Sequence, residues 1–221
     1  MDNFDEIRIN DFIMSLYKEE DSDINYLKKY ALENDVPIIR DETRDFLRMI
    51  LAIIKPKNIL EIGTAIGYST LIIHNSCKEA NIVTLEDYPK RIETAKNNFE
   101  NLKSFKNANI NLIEGDAADY LKSEKESNIY DFIFLDAAKG QYINWLPDIF
   151  RLLKNEAVLL SDNVFKEGQI LESRYLIRKR DRVIHKRMRE FLYTICHDDK
   201  LQTYIYNIGD GISLSIKNGS N

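Results

Sequence analysis

The chain has 221 residues, 44% hydrophobic and 30% charged, with four prolines, eight glycines and two cysteines. That composition excludes a disordered, collagenous or disulfide-stapled chain, and the length fits one α/β unit large enough to bury a substantial core. The net charge of −5, taken alone, argues against a nucleic-acid binder.

Phe12, Leu16, Leu27, Tyr30 and Ala31 recur at helical spacing in the first part of the chain, with Asp23 and Asp41 placed as N-caps and Val36-Pro37 as a break. After Lys55-Pro56 short apolar runs alternate with helical stretches. Strands are predicted over 58–62, 81–86, 110–114, 130–135 and 157–161, and helices over 68–77, 89–102, 117–122 and 141–153. Such alternation implies right-handed βαβ units and a mostly parallel sheet with helices on both faces. Residues 203–208, Gly209-Asp210-Gly211 and 212–216 read as a hairpin, so the last two strands are antiparallel neighbours. The expected fold class is therefore α/β, a Rossmann-like seven-stranded sheet with a C-terminal antiparallel hairpin. It forms a single domain over 1–221, with a helical N-terminal extension (1–55) and a core (56–221). The apolar runs fall far short of the ~20 residues that span a bilayer, and the acidic start is unlike a secretory leader. A cytoplasmic protein without membrane contact is expected, its two distant cysteines being buried thiols.

Open parallel sheets bind ligands at the carboxyl ends of their strands. The first strand ends in Glu61-Ile62-Gly63-Thr64-Ala65-Ile66-Gly67-Tyr68-Ser69, whose glycines allow a tight turn and close approach to a ligand. The middle glycine of a dinucleotide fingerprint is missing, and Glu61 would repel a diphosphate while suiting a ligand that carries an ammonium and a sulfonium. Glu86, at the end of the second strand, stands where an acid takes two ribose hydroxyls. Gly115-Asp116-Ala117, after the third, offers a carboxylate and open backbone to an adenine edge, with Asp116 also a helix N-cap.

Strand four ends in Asp136-Ala137-Ala138-Lys139 and strand five in Asp162-Asn163. Two carboxylates and a carboxamide on adjacent tips are hard oxygen donors suited to Mg²⁺ or a similar divalent ion. A hydroxyl chelated there beside a second oxygen would ionise near neutral pH, and Lys139 would take its proton or steady the anion if its own pKa is depressed. Tyr142 and Trp145 follow within about a turn as possible acceptor walls. Residues 174–190 hold eight Lys/Arg and two acids, a local +6 in an acidic chain. Read as a helix, this segment spreads Arg178, Lys179, Arg182, Lys186 and Arg189 over an outer face at the mouth of the site, where phosphates would be attracted.

With EIGTAIGYS, EGDA, DAAK and DN in this order, the chain resembles class I S-adenosylmethionine-dependent methyltransferases of the catechol and caffeoyl-CoA O-methyltransferase type. The resemblance implies that Glu61, Gly63, Thr64, Tyr68, Ser69, Glu86, Gly115, Asp116, Ala117 and Asp136 hold S-adenosylmethionine, with Ile39 lining the same pocket. It implies Asp136, Asp162 and Asn163 as metal ligands and Lys139 as catalytic base. Animal catechol enzymes carry His-Trp where this chain has Ala137-Ala138, which points to a bacterial branch. Together with the RKRDRVIHKRMREF stretch and the ending GDGISLSIK, the chain is most similar to bacterial tRNA 5-hydroxyuridine methyltransferases. That implies a tRNA anticodon loop as partner, contacted by Tyr142, Arg174, Arg178, Lys179 and Arg182, and a homodimer. A small hydroxylated acceptor, catechol-like or an acyl-CoA, is the alternative.

Overall fold

A computed structural model of the chain describes residues 3–18 and 20–219. Three helices precede the sheet: α1 (Asn3–Ser15), α2 (Ser22–Glu33) and α3 (Asp41–Ile54). The cap of α2 is Asp21 and not Asp23, because the Asp21 carboxylate accepts the Asp23 N–H at 2.8 Å. Asp23 is thereby freed to accept the Ser104 N–H at 2.8 Å. Arg40 precedes α3, and Asp41 is its first residue, where its carboxylate pairs with Lys28 at 2.8 Å and Arg44 at 2.7 Å. The buried Arg44 guanidinium also meets Asp45 at 2.9 Å. Its charge is thus compensated where burial would otherwise be costly.

The core then runs β1 (Asn58–Ile62), α4 (Tyr68–Ser76), β2 (Asn81–Glu86), α5 (Pro89–Asn101), β3 (Ile110–Glu114), α6 (Ala117–Ser123), β4 (Tyr130–Leu135), α7 (Tyr142–Leu152), β5 (Leu153–Asp162), α8 (Arg182–His197), β6 (Leu201–Tyr206) and β7 (Ile212–Lys217). The seven strands lie in the order β3-β2-β1-β4-β5-β7-β6, with β1 to β5 parallel and β7 antiparallel to both neighbours. This is the mixed, mostly parallel α/β sheet that the alternation predicts. Strand alternation builds two cores. Phe132, Phe134, Val158 and Leu160 pack with α2, α3 and α4 on one face, while Ile133, Leu135 and Leu159 pack with α6, α7 and α8 on the other.

Three expectations need correction. β5 begins at Leu153 and not at 157: Leu153 pairs with Tyr130 across a register break, and Glu156 at φ 62° absorbs the extra residues as a bulge. The basic segment is not one helix over 174–189, since α8 starts only at Arg182. Before it the chain is pinned by side chains of α8 itself. Arg182 donates to the Ile177 carbonyl at 3.0 Å, Arg189 to that of Ile170 at 2.9 Å, and the His185 ring nitrogen lies 3.1 Å from the Glu172 carbonyl. Those bonds satisfy three of the loop's carbonyls, while Tyr175, Leu176 and Val183 are exposed. Finally, Cys77 is buried but Cys196 is exposed. Among the described residues no helix is long and apolar enough to cross a membrane.

Candidate active site

The strand order reverses between β1 and β4, and a crevice opens there because the flanking crossovers lie on opposite faces. It holds a cleft of about 550 Å³, within the range of small-ligand pockets. Twelve of the residues singled out from the sequence line it together: Ile39, Gly63, Thr64, Tyr68, Ser69, Glu86, Gly115, Asp116, Ala117, Asp136, Lys139 and Asn163.

The glycine turn after β1 owes its form to its neighbours. Gly63 has φ +110°, and a Cβ there would lie 2.0 Å from the Asp136 carbonyl oxygen, so the tips of β1 and β4 approach closely only because no side chain intervenes. The N–H groups of Gly63 and Thr64 both donate to the Leu85 carbonyl at 3.0 Å. Glu86 anchors the turn from β2: its carboxylate accepts the Ala65 N–H at 2.8 Å and the Tyr88 N–H at 3.1 Å, and the residue lines the cleft. Asp116 caps α6, accepting the Ala118 N–H at 2.7 Å.

Glu61 is placed otherwise than expected. It is fully buried and does not line the cleft. The pleat turns it toward α4, where Ser69 and Thr70 donate to it at 2.5 Å, and Thr84 of β2 donates to it at 2.6 Å. Burial raises its pKa to about 7 against the pull of those hydroxyls, and the Asp136 charge adds to the rise. Glu61 thus braces the turn from beneath.

At the other end of the cleft the register sets Leu135 beside Ser161, so Asp136 and Asp162 leave adjacent strand tips side by side. Asp162 is fully buried behind the cleft wall. One carboxylate oxygen accepts the Asn163 N–H at 2.8 Å and the Thr43 hydroxyl at 3.4 Å, while Oδ2 is buried with no hydrogen-bond partner. Burial first, and Asp136 second, raise the Asp162 pKa. Lys139 Nζ lies 2.7 Å from Asp136 Oδ1 and 3.0 Å from the Tyr142 hydroxyl. Burial works against its charge, yet Tyr142 and Asp136 outweigh that, and its pKa lies above the ordinary lysine value, opposite to the depression expected. Tyr142 is not an acceptor wall. It is fully buried, its hydroxyl donating to the Leu135 carbonyl at 3.1 Å and so fixing Lys139 from below.

Among the described residues no three His, Cys, Asp or Glu gather into a metal cluster. The donor set here is instead two carboxylates and the Asn163 carboxamide, with Asp162 Oδ2 left unsatisfied in a place where a buried acceptor requires a partner. That chemistry fits a hard divalent cation.

The cleft also takes Arg40, Asp87, Arg91, Gln141 and Trp145. Asp87 follows Glu86 directly and could have been read from its strand-tip position. Arg40 and Thr43 gave no signal, since α3 reaches the site only through tertiary packing. Arg174, Arg178, Lys179 and Arg182 do not line the cleft. α8 itself reaches the segment after β4 through Arg187, which donates to the Gly140 carbonyl at 3.0 Å.

A family profile described as O-methyltransferase matches residues 15–218. The chain belongs to the O-methyltransferase family. It is an S-adenosylmethionine-dependent O-methyltransferase of the caffeoyl-CoA and catechol type. It is similar to the caffeoyl-CoA O-methyltransferase of Medicago sativa, 30% identical over 179 residues, 76% of this chain and 70% of that protein. It is similar also to the catechol O-methyltransferase of Niastella koreensis, 28% identical over 169 residues, 74% of this chain and 76% of that protein. A Staphylococcus aureus structure provisionally named a caffeoyl-CoA O-methyltransferase superposes with a TM-score of 0.85 at 30% identity, covering 94% of this chain and 98% of that one.

The buried carboxylate under the glycine turn gives this methyltransferase a pH signature. A raised native pKa means that the folded state binds more protons than the unfolded state between about pH 4.5 and the native value of about 7, so Glu61 costs stability as pH rises through that window and no more above it. Glu61→Gln removes the titration. The unfolding free energy of the native protein relative to the variant should fall from pH 5 to pH 7, at most by about 1.4 kcal/mol per pH unit, and be flat beyond. Urea titrations at pH 5, 6, 7 and 8 check this, and a flat difference throughout would assign the carboxylate no strain.

Proposed function

We propose that the enzyme transfers the methyl group of S-adenosylmethionine to a hydroxyl that chelates a hard divalent cation together with a neighbouring oxygen, the acceptor being a small catechol or caffeoyl-type molecule. The observation that carries this reading is the buried Asp162 Oδ2, without a partner, beside Asp136 and Asn163. Asp136, Asp162 and Asn163 would hold the cation, which when bound lowers the pKa of a coordinated hydroxyl. Glu86 would take the ribose hydroxyls of the cofactor, Asp116 and Ala117 the adenine edge, and the Gly63 turn the methionine end, with Ile39 and Trp145 closing the walls. Lys139, held by Asp136 and Tyr142, carries its proton in this arrangement. It would steady the oxyanion by charge and accept a proton only once the Asp136 charge is compensated. Most of the acceleration would come from holding oxygen and methyl in line. Met49 and Ile53 of α3 and Tyr204 and Tyr206 of β6 are exposed and adjoin through the Phe46–Tyr206 ring contact at 5.4 Å. They offer a face for a second copy in the homodimer that the resemblance implies.

A second reading, 5-hydroxyuridine at the tRNA wobble position, is favoured by one observation. Arg174, Arg178 and Lys179 are exposed and make no ion pair among the described residues, and Tyr175 between them is 87% exposed. Basic side chains interleaved with an aromatic suit a single strand with unstacked bases. Arg182 is unsuited as a probe, because it holds the Ile177 carbonyl. Labelled S-adenosylmethionine with Mg²⁺, offered a catechol panel and hydroxyuridine-containing tRNA, separates the readings. Label in catechols with blank tRNA supports the first; label in tRNA alone, reduced in the Arg178→Ala/Lys179→Ala variant with a shallower salt slope, supports the second. Label in neither, with or without EDTA, sinks both.

A further inference from the structure

The segment that carries Asn163 is bent in a way L residues resist. Asn163, Lys166 and Glu167 have φ of 54°, 48° and 53°, and Gly168 follows at 75°. Positive φ crowds Cβ against the carbonyl oxygen, and only glycine adopts it freely. Three such non-glycine residues within five positions persist only where the surroundings hold them.

The surroundings here come from the far end of the chain. The Val164 N–H donates to the Gly211 carbonyl and the Phe165 N–H to the Asp210 carbonyl, each at 3.0 Å. The Glu167 N–H lies 2.7 and 2.9 Å from the two oxygens of the Asp210 carboxylate. The β6–β7 turn that carries Asp210 is itself tightly seated. A Cβ on Gly209 would lie 2.6 Å from the Thr43 hydroxyl, and one on Gly211 would lie 2.5 Å from the Phe165 ring. Arg40 adds a hydrogen bond to the Gly209 carbonyl at 3.4 Å.

We propose that Asp210 is a positioning residue for the metal site: its carboxylate clamps the strained turn after β5 and so keeps the Asn163 carboxamide beside Asp136 and Asp162. Asp210 acts through the turn, since it does not line the cleft. The inference rests on the reading of Asp136, Asp162 and Asn163 as a cation site. It adds a contribution from the hairpin, 47 residues beyond Asn163 in the sequence.

The test is Mn²⁺ binding, followed by electron paramagnetic resonance, with S-adenosylhomocysteine binding measured calorimetrically on the same samples. Asp210→Ala should weaken Mn²⁺ binding about tenfold or more, the usual effect of losing a residue that orients a ligand. Asp210→Asn, which keeps one acceptor oxygen, should lose less. Both variants should bind S-adenosylhomocysteine like the native protein, because Glu86 and Asp116 lie at the other end of the cleft. Adding Glu167→Gly to Asp210→Ala should restore Mn²⁺ affinity, because glycine takes the positive φ without a clamp. Native-like Mn²⁺ affinity in both Asp210 variants overturns the proposal. So does a parallel loss of Mn²⁺ and S-adenosylhomocysteine that Glu167→Gly leaves unrepaired, which would make Asp210 a general brace. Native protein that binds no Mn²⁺ overturns the cation site itself and the clamp with it.

Discussion

In the presence of Mg²⁺, Asp162→Asn should lower the rate of methyl transfer about a thousandfold, the equivalent of ~4 kcal/mol of transition-state stabilisation. The same substitution should stabilise the protein when metal is removed. Asp162 is fully buried, one of its oxygens has no partner, and Asp136 stands beside it, so the ionised form is disfavoured and its pKa is raised. The sign follows from linkage: as pH rises above the ordinary aspartate range, the native carboxylate holds its proton longer than the unfolded one and stability is lost. An amide at 162 keeps the oxygen that accepts the Asn163 N–H and turns a donor toward Asp136, relieving that loss. Thermal melts in EDTA at pH 7 should therefore rank Asp162→Asn above the native protein. Adding Mg²⁺ should raise the melting point of the native protein alone, as binding to the folded state requires. Opposite signs for activity and apo stability mark a functional carboxylate held at the fold's expense. If the variant is less stable in EDTA and its rate is unchanged, Asp162 is a structural acid and the cation site is misplaced.

Gly63→Ala should be the most damaging single methyl group in the cofactor end of the cleft. The added carbon would sit 2.0 Å from the Asp136 carbonyl oxygen, at a φ of +110° that alanine resists. Neither partner yields cheaply: both are backbone, and Asp136 N–H is already bonded to the Ile62 carbonyl at 3.0 Å. Overpacking and backbone strain together should cost about 4 kcal/mol in urea unfolding. Because relief requires parting the tips of β1 and β4, S-adenosylhomocysteine affinity should drop with stability. Gly115→Ala is the control, since φ there is +127° but no atom lies within 4 Å of the added carbon. It isolates strain from collision and should lose distinctly less. Equal losses at the two positions would show that the close approach of the strand tips contributes nothing.

Strands and their ends were legible because their signals are local. The period of two in 130–135, the proline that opens α5 and the glycine turn after 62 each act over a few residues, and the observed β1, β2, β3 and β4 coincide with the runs read from the sequence. The misread segments are those where distant contacts prevail over local pattern. The apolar residues at 175, 176 and 183 fit a helix, but α8 captures the carbonyls of 172 and 177 and starts later. The bulge at Glu156 hides the first turn of β5 behind polar residues.

The alternating α/β order and the carboxylates at strand tips follow from hydrophobic period and turn chemistry, which are properties of neighbouring residues. What each carboxylate faces depends on contacts between distant segments. Glu61 and Glu86 both end strands, yet the pleat sends one into the hydroxyls of α4 and the other into the cleft. Asp162 meets Thr43 across 119 positions of chain, and the Val164 and Phe165 N–H groups that follow Asn163 bond to carbonyls of the last hairpin's turn. The charge and protonation of a buried acid depend on the groups that replace its water, and those groups come from segments that only folding brings together.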